Sequence, residues 1–144
     1  MPESAFDVAE NMLVRTNEAI MSRNFDLYRQ CFHLPSKIET YSGVIAVDAQ
    51  ADLREVFDAI TRQFDAKGVT DFVRRVLEAE FHGSDEVSSA HETRLMRRTF
   101  VLRDSYPSYC TLKRFDGIWK ITHSTHAVTD INSIYNLAPP FDDR

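Results

Sequence analysis

Two histidines are the residues of this chain best suited to acid and base chemistry. Each lies in a stretch where polar and apolar residues alternate, which is typical of a strand with one buried face. On this pattern His91 faces inward with Val87, Ser89, Thr93 and Leu95, and His123 with Trp119 and Ile121. Because an imidazole titrates at about pH 6.5, an inward-facing histidine can move a proton near neutral pH. We predict His91 and His123 as catalytic residues, with a hydrogen-bonded structural role as the alternative for each.

The turn at Asp116-Gly117 determines how the last two strands pair. A two-residue Asp-Gly loop favours a type I′ turn, whose central residues both need positive φ, so that Phe115 faces Ile118. One face of this hairpin then carries Arg114, Leu112 and Cys110 opposite Trp119, Ile121 and His123. The other face places Lys113 opposite Lys120, a repulsive pair that we expect to meet solvent or the carboxylates of a partner.

Four further side chains are predicted to line the same interior and contact a ligand: Tyr28, Thr93, Cys110 and Trp119. The helical spacing of Tyr28 is equally typical of core packing, which is the alternative for this residue. Trp119 is also expected to anchor the core, with Arg114 lying over its indole ring. Cys31 and Cys110 have neither metal-ligand spacing nor a disulfide framework, and we interpret both as buried free thiols.

We predict no metal site and no cofactor. His126 follows His123 by three residues, so on a strand the two rings point to opposite faces and cannot chelate one ion. His126 is therefore predicted to face outward. His33 and His82 are predicted to lie at the surface or at the rim of a cavity.

Periodicity predicts three amphipathic helices, at about 5–22, 24–32 and 49–67, with N-caps at Ser4, Asn24 and Asp48. Two short strands, 37–41 and 44–48, precede the third helix, and longer strands follow Gly68. In the first of these, 70–81, the odd positions are more apolar and are predicted to face inward: Val73, Leu77, Ala79 and Phe81. The register of residues 99–108 stays open, and the tail after Ala127 is expected to be a partly mobile loop.

Composition narrows the class of protein. The chain has 144 residues, 43% hydrophobic and 27% charged, which fits one domain with a core at about 5–127 and a tail at 128–144. The net charge is -5, and the acidic and basic residues are scattered along the chain without forming a basic stripe. This distribution argues against nucleic acid as a partner. The first residues lack a signal-peptide pattern and no long apolar run occurs, so we expect a cytoplasmic protein without a membrane partner.

The order of elements predicts an α+β fold, in which a strongly curved antiparallel sheet of about six strands wraps around three N-terminal-half helices. Two segments carry a resemblance to a known family: Leu34-Pro-Ser-Lys-Ile-Glu-Thr-Tyr-Ser-Gly43 and Phe115-Asp-Gly-Ile-Trp-Lys-Ile121. Together with the order of elements, these segments resemble the NTF2-like superfamily, which includes SnoaL-like cyclases and ketosteroid isomerases. The resemblance implies a cystatin-like cone with a pocket between sheet and helices. It also implies a homodimer formed through the outer faces of the sheets.

The chain departs from ketosteroid isomerases at their catalytic position. The resemblance implies a carboxylate base three residues before the glycine that matches Gly43, and Thr40 stands there in this chain. Glu39, next to it, is predicted to point away from the interior. The sequence therefore does not support proton abstraction by a carboxylate at this position.

Two classes of function stay open at this point. The first is a homodimer that binds a small apolar organic molecule in the cone and acts as a cofactor-free isomerase, dehydratase or cyclase by general acid and base catalysis. The second is a non-catalytic dimerisation or accessory module whose cavity is filled by side chains. The fold alone does not decide between them.

Overall fold

The computed structural model describes residues 3–127, and the predicted tail at 128–144 lies outside the described residues. In chain order the elements are α1 (Ala5–Met21), α2 (Phe25–Arg29), β1 (Phe32–Thr40), β2 (Gly43–Val47), α3 (Gln50–Lys67), β3 (Asp71–Phe81), β4 (Glu86–Arg97), β5 (Phe100–Phe115) and β6 (Ile118–His126). The predicted α+β class and the predicted order of helices and strands are confirmed.

The six strands form one curved, open sheet in the order β2-β1-β6-β5-β4-β3. Neighbouring strands are antiparallel except β1 and β6, which run parallel. This parallel pair joins the short β1-β2 hairpin to the four long strands. The helices cover the inner face of the sheet, with α1 lying against β3 and β4, and the core forms between the two layers.

Local capping explains where the first two helices begin. The Asp7 N–H donates to Ser4 Oγ at 3.0 Å and the Ser4 N–H donates to Asp7 Oδ2 at 3.4 Å, which makes the reciprocal pair of a capping box. Asn24 Oδ1 accepts from the Leu27 N–H and caps α2 as predicted. However, α2 ends at Arg29 and not near residue 32, because Phe32 begins β1, which pairs with β6 and with β2.

The third helix differs from its prediction only at its start. Asp52 Oδ2 accepts the backbone N–H groups of Asp48 and Ala49, both at 3.1 Å, so a side chain inside the first turn replaces the predicted cap by Asp48. At the other end Gly68 adopts a φ of +68°, in the left-handed region that favours glycine, and stops the helix. Between these ends the predicted apolar stripe is buried: Leu53, Val56, Phe57, Ile60 and Phe64.

The predicted hairpin around Asp116-Gly117 is confirmed as far as Ile121. Asp116 and Gly117 have φ values of 51° and 81°, as a type I′ turn requires. The observed partners are Phe115 with Ile118, Arg114 with Trp119, Lys113 with Lys120 and Leu112 with Ile121. The guanidinium carbon of Arg114 lies 5.1 Å from the centre of the Trp119 ring, which confirms the predicted cation-π contact.

A β-bulge at Thr122 reverses the predicted orientation of the rest of β6. Leu112 pairs with Ile121 but Thr111 pairs with His123, so Thr122 is an extra residue without a partner across the ladder. Because side chains alternate along a strand, one extra residue moves every later side chain to the other face. His126 consequently turns inward and His123 outward, the reverse of the prediction, although the two rings still occupy opposite faces.

A second bulge, at Leu77, has the same effect on β3. Val76 pairs with His91 whereas Glu78 pairs with Ala90, which leaves Leu77 as the extra residue. Before the bulge the even positions face inward, with Phe72 and Val76 buried and Arg74 partly buried. The prediction that Val73 and Leu77 face inward is wrong, since both are more than two-fifths exposed.

The neighbouring strand β4 keeps its alternation through the site. All five residues predicted to face inward are buried: Val87, Ser89, His91, Thr93 and Leu95. The stretch whose register the sequence left open belongs to β5, a 16-residue strand that pairs with both β4 and β6. β4 and β5 therefore form the centre of the surface on which the site is built.

Candidate functional site

A cavity of about 50 Å³ lies between the helices and the inner face of the sheet. Its apolar walls are Ile20, Phe32, Ile38, Val56, Ile60 and Ile121. The polar side chains that line it are Thr16, Tyr28, Arg74, His91, Cys110, Ser124 and His126. Apolar walls with a few convergent polar groups are typical of small-molecule sites. The volume admits a few water molecules or a short organic molecule without movement of the walls.

His91 reaches the cavity from the middle of β4 and is 3% exposed. Burial lowers the pKa of its imidazole to about 3, with smaller contributions from the charge of Arg74 and from His126. The ring is therefore neutral at pH 7. Within residues 3–127 no side chain or backbone group hydrogen-bonds this ring.

His126 reaches the same cavity from β6 and has partners for both ring nitrogens. Nδ1 lies 2.8 Å from Ser108 Oγ, and Nε2 lies 3.2 Å from Ser124 Oγ. Burial is the main cause that lowers the pKa of this imidazole to about 4, and the charge of Arg74 adds to it. In the neutral ring one nitrogen donates and the other accepts, and the two serine hydroxyls match either tautomer.

Arg74 brings a positive charge to the cavity from β3. Its Nη2 group donates to the Leu13 carbonyl at 2.8 Å and to Thr16 Oγ1 at 2.6 Å, which ties β3 to α1. Its guanidinium carbon lies 4.3 Å from the centre of the Phe72 ring. Since Thr16 Oγ1 itself donates to the Met12 carbonyl, its lone pair is oriented to accept from the arginine.

Two of the four predicted ligand-contacting residues line this cavity. Tyr28 is 5% exposed and packs with ring centres 4.8 Å from Phe32 and 4.9 Å from Phe57. Cys110 keeps part of its surface accessible, but surrounding protein atoms raise the pKa of its thiol to about 11, so it stays protonated at pH 7. Their predicted contact with a ligand stays a prediction.

The other two, Thr93 and Trp119, are buried but do not border the cavity. Trp119 packs between Arg114 and Phe81, whose ring centre is 6.3 Å away. This position agrees with the core role that was the alternative for the tryptophan. The structure does not bring either residue together with His91 and His126.

His123 lies on the outer face of the sheet, so its predicted place in the interior is wrong. Its Nε2 atom is 3.3 Å from Glu39 Oε1, and the two side chains are 40% and 44% exposed. Glu39 points outward as predicted, while Thr40 beside it is buried. The carboxylate nearest in sequence to the ketosteroid isomerase position therefore pairs with His123 on the outside and not with the cavity.

A larger, open hollow of about 280 Å³ occupies the outer face of the sheet around His123. Its floor is mostly polar, with Glu78, Glu80, Ser88, Thr111 and Thr125, and exposed Tyr109 stands at its side. We place the candidate site in the smaller interior cavity, because buried imidazoles with strongly lowered pKa values line it together with apolar side chains.

The remaining histidines lie away from the cavity. His33 stacks on Phe115 with ring centres 4.0 Å apart, and His82 Nε2 lies 2.7 Å from Ser88 Oγ. Within residues 3–127 no three His, Cys, Asp or Glu side chains are grouped to hold a metal ion. Over the same range, the helices are too short or too polar to cross a bilayer.

Sequence reasoning missed three polar residues of the cavity: Arg74, Ser124 and His126. The bulges at Leu77 and Thr122 reversed the face of each one. The one available signal was the spacing of His123 and His126, which shows that only one of the two rings can face inward. His91 was found because β4 is regular around it.

The sequence matches no protein-family profile and no curated protein. The structure resembles an NTF2-like protein of unknown function from Shewanella oneidensis, with 14% identity, a TM-score of 0.66 and coverage of 84% of this chain and 97% of that one. It also resembles a domain of unknown function with a cystatin-like fold from Nostoc punctiforme, with 14% identity, a TM-score of 0.67 and coverage of 88% and 78%. A ketosteroid isomerase-like protein from Erwinia carotovora atroseptica gives 12% identity, a TM-score of 0.63 and coverage of 85% and 94%.

These similarities define the class as α+β proteins with an NTF2-like or cystatin-like fold. The chain has the NTF2-like fold, as its motifs predicted. At such low identities the likeness concerns the fold alone, so the function has to be argued from the cavity.

Proposed function

We propose that this chain binds a small organic molecule in the interior cavity. The observation that carries the proposal is His91, whose ring is almost completely buried and has no hydrogen-bond partner among residues 3–127, yet borders the cavity. Because its ring nitrogens have no partner among the described residues and the ring lines the cavity, a partner for them has to come from the cavity, as water or as a ligand. A ligand with one polar atom could hydrogen-bond His91, while its apolar part packs against the apolar side chains that line the cavity.

A cofactor-free isomerase, dehydratase or cyclase is the second candidate. It is favoured by the presence of two imidazoles in one cavity, with Ser108 and Ser124 holding the ring of His126. The pKa values of about 3 and 4 make both rings weak bases at pH 7, since a general base works best when its pKa is near the working pH. Binding is therefore the function that the geometry supports first.

A fragment screen on the full chain tests the proposal. Binding is followed by the NMR signals of the backbone amides around the cavity in the wild type, His91→Asn, His126→Asn and the matched control His123→Asn. We expect small organic fragments to shift cavity signals in the wild type and in His123→Asn, because His123 lies outside. We expect at least about tenfold weaker binding in the two cavity variants, since each loses a buried hydrogen-bonding group.

Two results would count against the binding proposal. If no fragment shifts a cavity signal in the wild type, the cavity is occupied and the chain is an accessory module. If His123→Asn weakens binding as much as His91→Asn does, the site lies on the outer face.

We further propose that the chain forms a homodimer through the outer face of the sheet. Three apolar or aromatic side chains are exposed there, Val73, Leu77 and Tyr109, at 41%, 48% and 52%. Exposed apolar groups clustered on one face often mark an interaction surface. The outer hollow lies beside Tyr109, so a second copy would cover it.

Sedimentation equilibrium with matched tyrosine variants tests the dimer. Tyr109→Glu places a charge on the proposed interface and is expected to raise the dimer dissociation constant by at least about tenfold. Tyr41→Glu is the control, because Tyr41 is 77% exposed in the turn between β1 and β2. A monomeric wild type, or equal effects of the two substitutions, would rule out this interface.

A further inference from the structure

The turn between β4 and β5 forms a basic and apolar tip at one end of the sheet. We call residues 97–100 the hairpin tip: Arg97, Arg98, Thr99 and Phe100. Arg97 pairs with Phe100 across the hairpin, and Arg98 between them has a φ of 57°. Phe100 is 67% exposed, and Val101 beside it is 46% exposed. The hairpin tip therefore combines an exposed aromatic ring with two exposed guanidinium groups.

The two arginines of the hairpin tip have no counter-charge. Within the described part of the chain neither guanidinium takes part in a salt bridge. Arg97 Nη1 donates to the Lys67 carbonyl at 3.5 Å, and the Arg98 N–H donates to Thr70 Oγ1 at 2.6 Å. These bonds hold the tip at the end of α3 and leave both positive charges available. Lys67, the last residue of α3, adds a third cation there.

An open groove of the opposite charge lies between β2 and α3. Its volume is about 390 Å³. Three carboxylates border it and outnumber the one arginine among its described lining residues: Asp52, Glu55 and Asp58 against Arg62. The rest of its lining is apolar and includes Ile45, Ala46 and Val56. We call it the acidic groove.

Glu55 is the carboxylate of the acidic groove that stays available for a partner. Asp52 accepts the backbone N–H groups of Asp48 and Ala49, and Asp58 pairs with Arg54 at 3.1 Å. Glu55 is exposed, and among residues 3–127 no cation pairs with it. The groove and the hairpin tip therefore carry complementary charges, and each of them has apolar surface.

The hairpin tip and the acidic groove of one molecule are too far apart to touch. In the sheet order, β2 is an edge strand, and β5 and β4 lie three and four strands away from it. Neighbouring strands are about 4.8 Å apart, so at least about 14 Å separates the two strands. Along α3, the nine residues from Asp58 to Lys67 add a rise of about 14 Å. A contact between a tip and a groove must therefore join two molecules.

We propose that the hairpin tip of one molecule docks in the acidic groove of a second copy of this chain, with Phe100 on the apolar lining and Arg98 beside Glu55. Pockets of about 300–1,000 Å³ hold drug-sized molecules, so a groove of about 390 Å³ admits a phenylalanine ring. Complementary charges steer such a contact and fix its orientation.

The contact is head-to-tail, because two different surfaces meet. Each pair of molecules keeps one free tip and one free groove, so the assembly extends into a ring or a chain. A single hairpin tip buries less area than the roughly 1,200–2,000 Å² of stable complexes, so we expect a weak association. It is independent of the cavity and of the dimer proposed through the outer face of the sheet.

Sedimentation velocity of the full chain at rising protein concentration tests the contact. Runs are compared at about 0.01 M and about 1 M NaCl, between which the Debye length falls from about 30 Å to about 3 Å. We expect species larger than a dimer at the low salt concentration and their loss at the high one. If the wild type forms no such species at low salt, the tip and the groove serve other partners and the inference is overturned. This comparison needs only wild-type protein, so it decides even if a variant does not fold.

A pair of charge reversals tests which surfaces meet. Arg98→Glu and Glu55→Arg each bring like charges together, so each variant alone should associate at least about tenfold more weakly than the wild type. An equimolar mixture of the two should regain the association, because every tip then finds a groove of opposite charge on the other variant. Glu18→Arg is the matched control, since Glu18 is exposed on α1, and it should leave the association unchanged.

Two results with these variants would overturn the inference. One is a mixture that associates no better than its separate components, which would mean that the tip and the groove do not meet. The other is loss of the larger species in Tyr109→Glu, which would assign the association to the outer face of the sheet. Retention of these species in Tyr109→Glu is the expected result, because Tyr109 belongs to neither the tip nor the groove.

Discussion

Between pH 7 and pH 5, His91 and His126 together should lower the free energy of unfolding by about 4 kcal/mol, about 2 kcal/mol for each ring. In the folded protein both pKa values are lowered, to about 3 and about 4, mainly by burial. In the unfolded chain each ring takes up a proton near pH 6.5. Across this window the unfolded state therefore binds more protons than the folded state. The stability is fully present above about pH 7 and decreases as the pH falls toward the folded pKa values.

Urea denaturation at several pH values between 7 and 5 measures this dependence. His91→Asn and His126→Asn are each expected to remove about half of the slope, whatever their effect on stability at pH 7. The asparagine side chain keeps a polar group in place without a titrating proton. If both variants keep the wild-type dependence of the free energy of unfolding on pH, the two rings titrate alike in the folded and unfolded chain. That result would contradict their burial at the cavity.

Replacing Phe64 by alanine should destabilise the fold by about 3–5 kcal/mol, the range for a large aromatic side chain removed from a packed core. Phe64 is 0% exposed and meets Phe72 edge-on, with ring centres 5.3 Å apart and planes at 78°. Phe72 in turn lies under the guanidinium of Arg74. The substitution therefore weakens the contact between α3 and β3, the strand that carries Arg74.

Phe100→Ala provides the matched control for this prediction, since Phe100 is 67% exposed. It should change the free energy of unfolding by no more than about 0.5 kcal/mol. Both free energies come from urea denaturation at pH 7. Equal losses in the two variants would mean that α3 does not pack against the sheet as described.

The fold could be predicted from the sequence wherever a local signal determines the backbone. The Asp116-Gly117 turn gave the correct pairing up to Ile121, because its two residues favour one turn type and the turn sets the register. The alternation in β4 placed His91 correctly because no bulge interrupts it near the site. Helix caps and apolar stripes located the ends of α1 and most of α3.

The candidate site was harder to predict, because two bulges decide which side chains face inward. Neither bulged residue, Leu77 or Thr122, is a glycine or proline that would mark an irregularity. A bulge of this kind bends and twists a strand, and the curvature of the whole sheet determines where it is needed. The requirement arises from tertiary packing of the sheet around the helices, so it leaves no pattern in the strand itself. As a result His126 and Arg74 were assigned to the wrong face.

The imidazoles of His91 and His126 are neutral at pH 7 and face the interior cavity. Titration of their ring ¹⁵N and ¹H signals by NMR between pH 8 and pH 5 tests this most directly. We expect both rings to remain neutral throughout this range, because burial beside Arg74 disfavours the protonated form. A titration midpoint between pH 6 and pH 7 for either ring would contradict its burial at the cavity, since it would place that ring in contact with bulk water.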